Sequence, residues 1–157
     1  MARLIGLIAD THGLVRPDVH TALAGVEVIL HAGDVGGREI LDELALIAPV
    51  RAVYGNTDPV DDPRLVEALV CEVDGVAIHV SHGHEVGSPK PDRLIERYRH
   101  AVIVYGHTHR QLVTRIGDQL IVNPGAAGPR RFDLQPSVAR LTIEDGRAEV
   151  ELVALQL

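Results

Sequence analysis

The chain has one cysteine, one methionine, one phenylalanine and no tryptophan in 157 residues, and aromatics make up only 3% of it. A lone Cys71 permits no intramolecular disulfide, so a reducing setting such as the cytoplasm is expected, with Cys71 read as a small apolar core residue. Few aromatics mean a core of Val, Leu, Ile and Ala, and no stacking platform for single-stranded nucleic acid. Basic residues are also in deficit: 15 Lys and Arg face 22 Asp and Glu, a net charge of −7. That balance argues against an extended nucleic-acid groove, since backbone binding is driven by Lys and Arg. The apolar run near the start is too short for a membrane helix or signal segment and lacks a cleavage site. It reads instead as a buried first strand, and no membrane association is expected.

What is present is a pattern. Six times a run of strand-forming residues ends in polar groups able to hold a metal. Leu4 to Ala9 meets Asp10-Thr11-His12, Val26 to Leu30 meets His31-Ala32-Gly33-Asp34, and Arg51 to Tyr54 meets Gly55-Asn56-Thr57-Asp58. Val76 to Val80 meets Ser81-His82-Gly83-His84, Ala101 to Tyr105 meets Gly106-His107-Thr108-His109, and Gln119 to Val122 meets Asn123-Pro124-Gly125. Strand carboxyl ends line one edge of an α/β sheet, and ligands bind in the crevice there.

The length fits one domain, residues 1–157, burying roughly 70% of its unfolded surface. Apolar periodicity predicts helices over about Asp18 to Ala24, Gly37 to Ile47 and Pro91 to His100. Pro17 and Pro49 flank the first two at positions where proline starts or stops a helix. The last third reads as strands over Gln111 to Arg115, Gly117 to Val122, Ser137 to Glu144 and Arg147 to Leu155. Gly117-Asp118 and Asp145-Gly146 suit tight turns between them. The one long loop, Asn123 to Pro136, belongs at the rim of the proposed site.

Asp10, His12, Asp34, Asn56, His82, His107 and His109 offer seven oxygen or nitrogen donors and no thiolate. This set suits Mn²⁺, Fe, Ni²⁺, Zn²⁺ or Co²⁺ and is poorly matched to Ca²⁺. Seven donors are too many for one catalytic ion with open positions, and they suit two ions about 3.5–4 Å apart bridged by a carboxylate and a hydroxide.

The order Asp10-x-His12, Gly33-Asp34, Gly55-Asn56-x-Asp58, His82 and Gly106-His107-x-His109 resembles the calcineurin-like metallophosphoesterase superfamily. Short length, His82-Gly83-His84 and Asn123-Pro124-Gly125 are similar to its small bacterial and archaeal phosphodiesterases. The resemblance implies an α/β (α+β) fold, a four-layer sandwich of two mixed β-sheets flanked by helices, with the metal site at strand carboxyl ends. It implies a binuclear centre, manganese first, with Asp10, His12 and His109 on one metal. Asn56, His82 and His107 would hold the other, and Asp34 would bridge. The implied reaction is hydrolysis of a small phosphodiester by in-line attack of the bridging hydroxide on phosphorus.

The resemblance breaks at Thr57, where the larger phosphatases carry the histidine thought to protonate the leaving group. A threonine hydroxyl is too weak an acid for that, which leaves Asp58 without its usual imidazole partner. Asp34, Asn56 and His84 are the candidate catalytic groups, His84 as a proton donor or substrate contact. Arg130 and Arg131 are the candidate phosphate contacts, with Arg110 a further possibility. His31 reads as a packed residue or one that supports a ligand; His20, His79 and His100 read as ordinary histidines. The alternative function is a non-catalytic scaffold on the same fold, as in a eukaryotic retromer subunit that resembles this family. A scaffold is free to lose donors, and this chain retains all seven. A homo-oligomer is left open.

Overall fold

The computed structural model describes residues 2–157. Eleven strands follow the chain: β1 (Arg3–Ile8), β2 (Val28–His31), β3 (Val50–Val53), β4 (Leu65–Val66), β5 (Ala68–Val73), β6 (Val76–Ser81), β7 (Val102–Val104), β8 (Leu112–Ile116), β9 (Gln119–Asn123), β10 (Ser137–Glu144) and β11 (Arg147–Ala154). They form two mixed sheets, of order β11-β10-β1-β2-β3-β4 and β5-β6-β7-β9-β8. The centre of each is parallel and the chain's later hairpins are antiparallel additions at the edges.

Residue alternation along β1 explains the layering. Ile5 and Leu7 point into the core between the sheets, packing with Leu30, Val53, Ile78, Val80, Val104 and Val122. Leu4 and Ile8 point the opposite way, toward Leu23, Ile40, Leu41 and Leu44 of the helical segments. Burial on both faces is why β1 reads as a continuous apolar run. The helices are α1 (Val19–Ala22), α2 (Arg38–Leu44) and α3 (Pro91–Arg97), the first two on one sheet and α3 on the other. Leu94 anchors α3 fully buried against Ile103, Tyr105 and Ile121. The result is the expected four-layer arrangement.

The helices are shorter than the periodicity predicts. Beyond Leu44 the α2 ladder tightens, with Leu46 N–H on Glu43 O and Ile47 N–H on Leu44 O, so the apolar stripe continues through a turn. α3 stops at Tyr98, whose backbone is extended at φ −119° and ψ 133°. There its ring stacks on His79 at 3.7 Å and its hydroxyl donates to Glu85 Oε2 at 2.7 Å. The hairpin β5–β6 went unread in the sequence, although Asp74-Gly75, both at positive φ, is a strong turn signal. Cys71 sits half-buried on β5 against the core, where burial raises its thiol pKa. No helix among the described residues is long and apolar enough to cross a membrane.

Candidate metal centre

Register delivers the polar residues to one place. Ile8 is level with His31 and His31 with Ala52, while Val80, Val104 and Val122 are level across the second sheet. Asp10, Asp34 and Asn56 therefore leave one sheet at a common height, and His82 and His107 leave the other. Asp10, His12, Asp34, His107 and His109 have φ of 53°, 44°, 55°, 72° and 64°. Each such residue costs about 1–3 kcal/mol and persists only where its surroundings hold it. Here they do: Asp10 N–H donates to Gly33 O and His12 N–H to Asp34 O, both at 3.0 Å, and His107 N–H to Asp10 Oδ2 at 3.1 Å. Glycine before Asn56 is a spatial need, since a Cβ on Gly55 would lie 2.0 Å from Asp34 Oδ1.

All seven predicted donors converge. Asp10 Oδ1 lies 3.8 Å from His12 Nε2 and 3.6 Å from His109 Nε2, and those two nitrogens are 3.3 Å apart. Asn56 Oδ1 lies 3.0 Å from His82 Nε2 and 3.1 Å from His107 Nδ1. Asp34 Oδ2 reaches both groups, 3.6 Å from His12 Nε2 and 3.3 Å from His82 Nε2. Asp10, His12 and His109, and likewise Asp10, Asp34 and His82, form sets able to hold a metal ion.

The donor chemistry fits a cation. Asp10 Oδ1 is buried without a hydrogen-bond partner among the described residues, a costly state for a carboxylate oxygen. His82 Nδ1–H donates to Ala32 O at 2.8 Å, which turns its Nε2 toward Asn56 and the carboxylates. Neutral His82 would thus face the Asn56 oxygen acceptor to acceptor, a conflict that a metal ion or a second proton resolves. Burial raises the Asp10 carboxyl to about 7, the His82 charge opposing and Asp34 adding to it. For Asp34, burial is outweighed by His82 and by two hydrogen bonds from Thr57, and its pKa falls well below the carboxylate range. Burial, then the charges of His12 and Arg131, lower His109 to about 4. His12 and His107 are lowered too, chiefly by burial. Burial also opposes charge on His82, but Asp34 and Asp10 carry its pKa upward.

Several supporting residues were not assigned from sequence, although His31 was read there as a packed residue or one that supports a ligand. Thr57 donates to Asp34 Oδ1 through both its hydroxyl (2.7 Å) and its backbone N–H (3.0 Å). Asp58 does not wait for an imidazole: its carboxylate accepts the N–H groups of Val35, Gly36 and Gly55 at 3.0, 3.2 and 2.9 Å. It thereby clamps the Asp34 loop to the Asn56 loop. His31 is fully buried and lowered to about 4 by burial. Its Nδ1 accepts from Gly33 N–H, so its Nε2–H donates to Thr11 Oγ1, which donates on to Val35 O. Asn123 Nδ2 donates to Gly106 O and Thr108 Oγ1, fixing the loop that carries His107 and His109.

The remaining predicted residues surround this centre. His84 opens a 3₁₀ turn, His84–Val86, with its ring 5.4 Å from that of His82 and 6.3 Å from that of His107. The loop after β9 runs beside the site, Ala127 N–H on Ala9 O and Gly128 N–H on Asp10 O. Arg131 lies on it, near enough to act on Asp10, His12 and His109. Arg130 pairs with Asp133 at 3.6 Å on the exposed loop. A cavity of about 290 Å³ adjoins the centre, lined by His109, Arg110, Gln111, Leu134 and Gln135. His20 contacts Glu43 at 2.9 Å, away from the donor set.

The profile of the calcineurin-like phosphoesterase superfamily domain matches residues 4–146. A probable metallophosphoesterase of Methanocaldococcus jannaschii is 36% identical over 98% of this chain and 82% of its own length. A phosphodiesterase of the same archaeon is 27% identical over 77% of this chain and 82% of its own. Among solved structures, wild-type Vps29 of Entamoeba histolytica complexed with Zn²⁺ aligns with a TM-score of 0.77 at 26% identity, covering 96% of this chain and 98% of that one. With its donors, its two sheets and these relatives in agreement, the chain belongs to the calcineurin-like phosphoesterase superfamily.

Proposed function

We propose that the protein is a metal-dependent phosphodiesterase that acts on a small phosphodiester. The observation that carries this reading is Asp34 Oδ2, placed 3.6 Å from His12 Nε2 in one donor group and 3.3 Å from His82 Nε2 in the other. Asp10, His12 and His109 would hold one divalent ion and Asn56, His82 and His107 a second, with Asp34 between; manganese is the first choice, and iron, nickel, zinc and cobalt also suit these donors. Such a pair would supply hydroxide near neutral pH for in-line attack on phosphorus and would offset charge on the phosphoryl oxygens. The chain's own groups do the rest. Thr57 sets the rotation of the Asp34 carboxylate, Asn56 presents its oxygen between two imidazoles, and Arg131 is the candidate phosphate contact. Arg130, engaged with Asp133, is the weaker candidate for that contact. His84 is the imidazole nearest His82 and His107 that is free to protonate a departing oxygen.

A relative named a phosphodiesterase supports this reading. The scaffold alternative predicts metal binding without turnover, so metal content alone does not separate the two. Metal analysis combined with a panel of mono- and diesters does. Diester hydrolysis that depends on Mn²⁺, and is lost in Asp34→Asn together with metal, is the expected result. A protein that binds two equivalents of metal yet hydrolyses no ester with any of the five metals would be a scaffold.

A further inference from the structure

The edge strand β8 is open to a further strand and lacks the devices that protect edges elsewhere in the fold. The first sheet ends on one side in β4, which is only two residues long. On its other side β11 carries Glu149 and Glu151, and Arg115 reaches over from β8 to donate to the Ala148 carbonyl. Short, charged or capped edges of this kind resist pairing with another chain. β8 is five residues long, contains no proline and pairs with β9 in an unbroken register. Its one charged side chain, Arg115, is turned back onto β11. Val113 and Ile116 are 43% and 36% exposed. The hydrogen bonds of β9 show which backbone groups of β8 are free. Leu120 N–H donates to Ala101 O at 2.8 Å and Val122 O accepts from Tyr105 N–H at 3.0 Å, both on the side of β9 away from β8. Arg115 and Val113 lie opposite Leu120 and Val122, so these are the non-hydrogen-bonded pairs of the β8–β9 ladder. Both residues therefore turn their own N–H and C=O outward, where no strand meets them among the described residues.

Charge says which strand fits. A second copy of β8, running antiparallel, must set Val113 and Arg115 against residues that also face outward, which allows few registers. Centred on Arg115, the pair places two arginines directly opposite each other, a destabilising contact. Centred on Val113, it leaves Arg110 opposite the partner's Ile116. Centred on Thr114, it satisfies every position. Val113 and the partner's Arg115 exchange both backbone hydrogen bonds, Leu112 meets the partner's Ile116, and Thr114 meets the partner's Thr114. Just beyond the strand ends, Arg110 then meets the partner's Asp118, opposite charge to opposite charge. We infer that the protein forms a two-fold dimer in which β8 pairs with β8 about Thr114, joining two five-stranded sheets into one continuous sheet. The other long edges do not offer this. β11 centred on Val150 sets Glu149 opposite the partner's Glu151, and β5 has only acidic charge to present, Glu72 with Glu67 just before it. The cavity of about 290 Å³ beside His109, which Arg110 and Gln111 line, then adjoins the seam between the two copies.

The dimer is independent of the phosphoesterase reading, and its test is the association state. An edge of five residues is a small interface, so sedimentation velocity between roughly 1 μM and 1 mM should show a monomer–dimer equilibrium. Val113→Pro removes an outward N–H that the fold does not use, and should abolish the dimer with the circular dichroism unchanged. Arg110→Asp and Asp118→Arg set like charges opposite each other at both ends of the seam. Each alone should raise the dimer Kd roughly tenfold or more, and the two together should restore it. The register has its own readout in a Cys71→Ala background. Thr114→Cys would face its own copy with Cα atoms about 4.5 Å apart and should oxidise to a covalent dimer, whereas Ile116→Cys should not. A monomer at every concentration would overturn the inference and leave the edge to an extended segment of another protein. A dimer indifferent to the charge exchange, or one cross-linked by Ile116→Cys and not by Thr114→Cys, would overturn it too, whether or not Val113→Pro folds.

Discussion

The Thr57 hydroxyl lies 2.7 Å from Asp34 Oδ1, and the Thr57 backbone N–H lies 3.0 Å from the same oxygen. Two donors on Oδ1 leave Oδ2 as the oxygen that faces His12 and His82. Where the larger phosphatases that this chain resembles carry an acid, the chain carries a brace for the Asp34 carboxylate. Thr57→Val, which keeps the shape and removes the hydroxyl, should weaken metal binding about 10- to 100-fold, as loss of a group supporting a ligand does. Thr57→Ser should restore it. Mn²⁺ titration calorimetry on the three proteins reads this directly, and unchanged affinity in Thr57→Val would remove the brace from the account.

Asp58 carries a different load. It accepts three backbone N–H groups, from Val35, Gly36 and Gly55, at a site only 9% exposed. An asparagine there offers one oxygen and turns an N–H₂ toward a donor. Asp58→Asn should cost about 2–4 kcal/mol in urea denaturation, because buried donors lose a charged acceptor. Metal content should fall with it, since the clamp joins the loops of Asp34 and Asn56.

Leaving-group chemistry follows from the same pair of residues. With Thr57 in place of an acid, kcat/KM across a series of diesters should fall steeply as leaving-group pKa rises, a positioned acid being worth roughly 10²–10⁴-fold. Thr57→His should not flatten that slope, because Asp58 is occupied by amides and the Asp34 brace is lost. If the wild-type slope is already flat with chemistry rate-limiting, His84→Ala should steepen it, and that result would identify His84 as the acid.

Acid sensitivity has an origin outside the metal centre. His79 is buried with both ring nitrogens unpartnered among the described residues, and burial lowers its pKa to about 4. Ser81 on its own strand, Tyr98 and His100, and the charges of Glu85 and Arg97 surround it. The unfolded chain therefore protonates His79 first, near its ordinary 6.5, and stability present above that pH is lost as pH falls toward 4. His31 acts in the same direction, while Asp10, raised to about 7, acts against it. Melting of the metal-free protein between pH 7 and 4 should show a smaller loss for His79→Phe, by roughly 2 kcal/mol. Equal losses in the two proteins would place the acid sensitivity elsewhere.

The donor set was legible in the sequence because its signal is local. Each apolar run ends within three residues of a potential ligand, and a parallel strand has only one end at which to deliver it. Asp10, Asp34, Asn56, His82 and His107 could be read from that rule alone, and the family resemblance followed from their order. The bonds of the supporting residues could not be, because they span long stretches of chain: 20 residues from Thr11 to His31, 23 from Asp34 to Thr57 and from Val35 to Asp58, so that His31 could be read as a packed or supporting residue but its partners could not. Periodicity shows that a segment is a strand and which residues share its face, but not which sheet edge it joins. The hairpin β8–β9 enters one sheet through pairing of β9 with β7, while the next hairpin, β10–β11, crosses to the other and pairs with β1. Composition and local pattern determined nine of the eleven strands, the two-sided burial and the donors. Tertiary structure alone decided the sheet order, the positive-φ geometry of five candidate ligands, and the hydrogen bonds that hold them, since those depend on contacts between residues that the chain brings together only by folding.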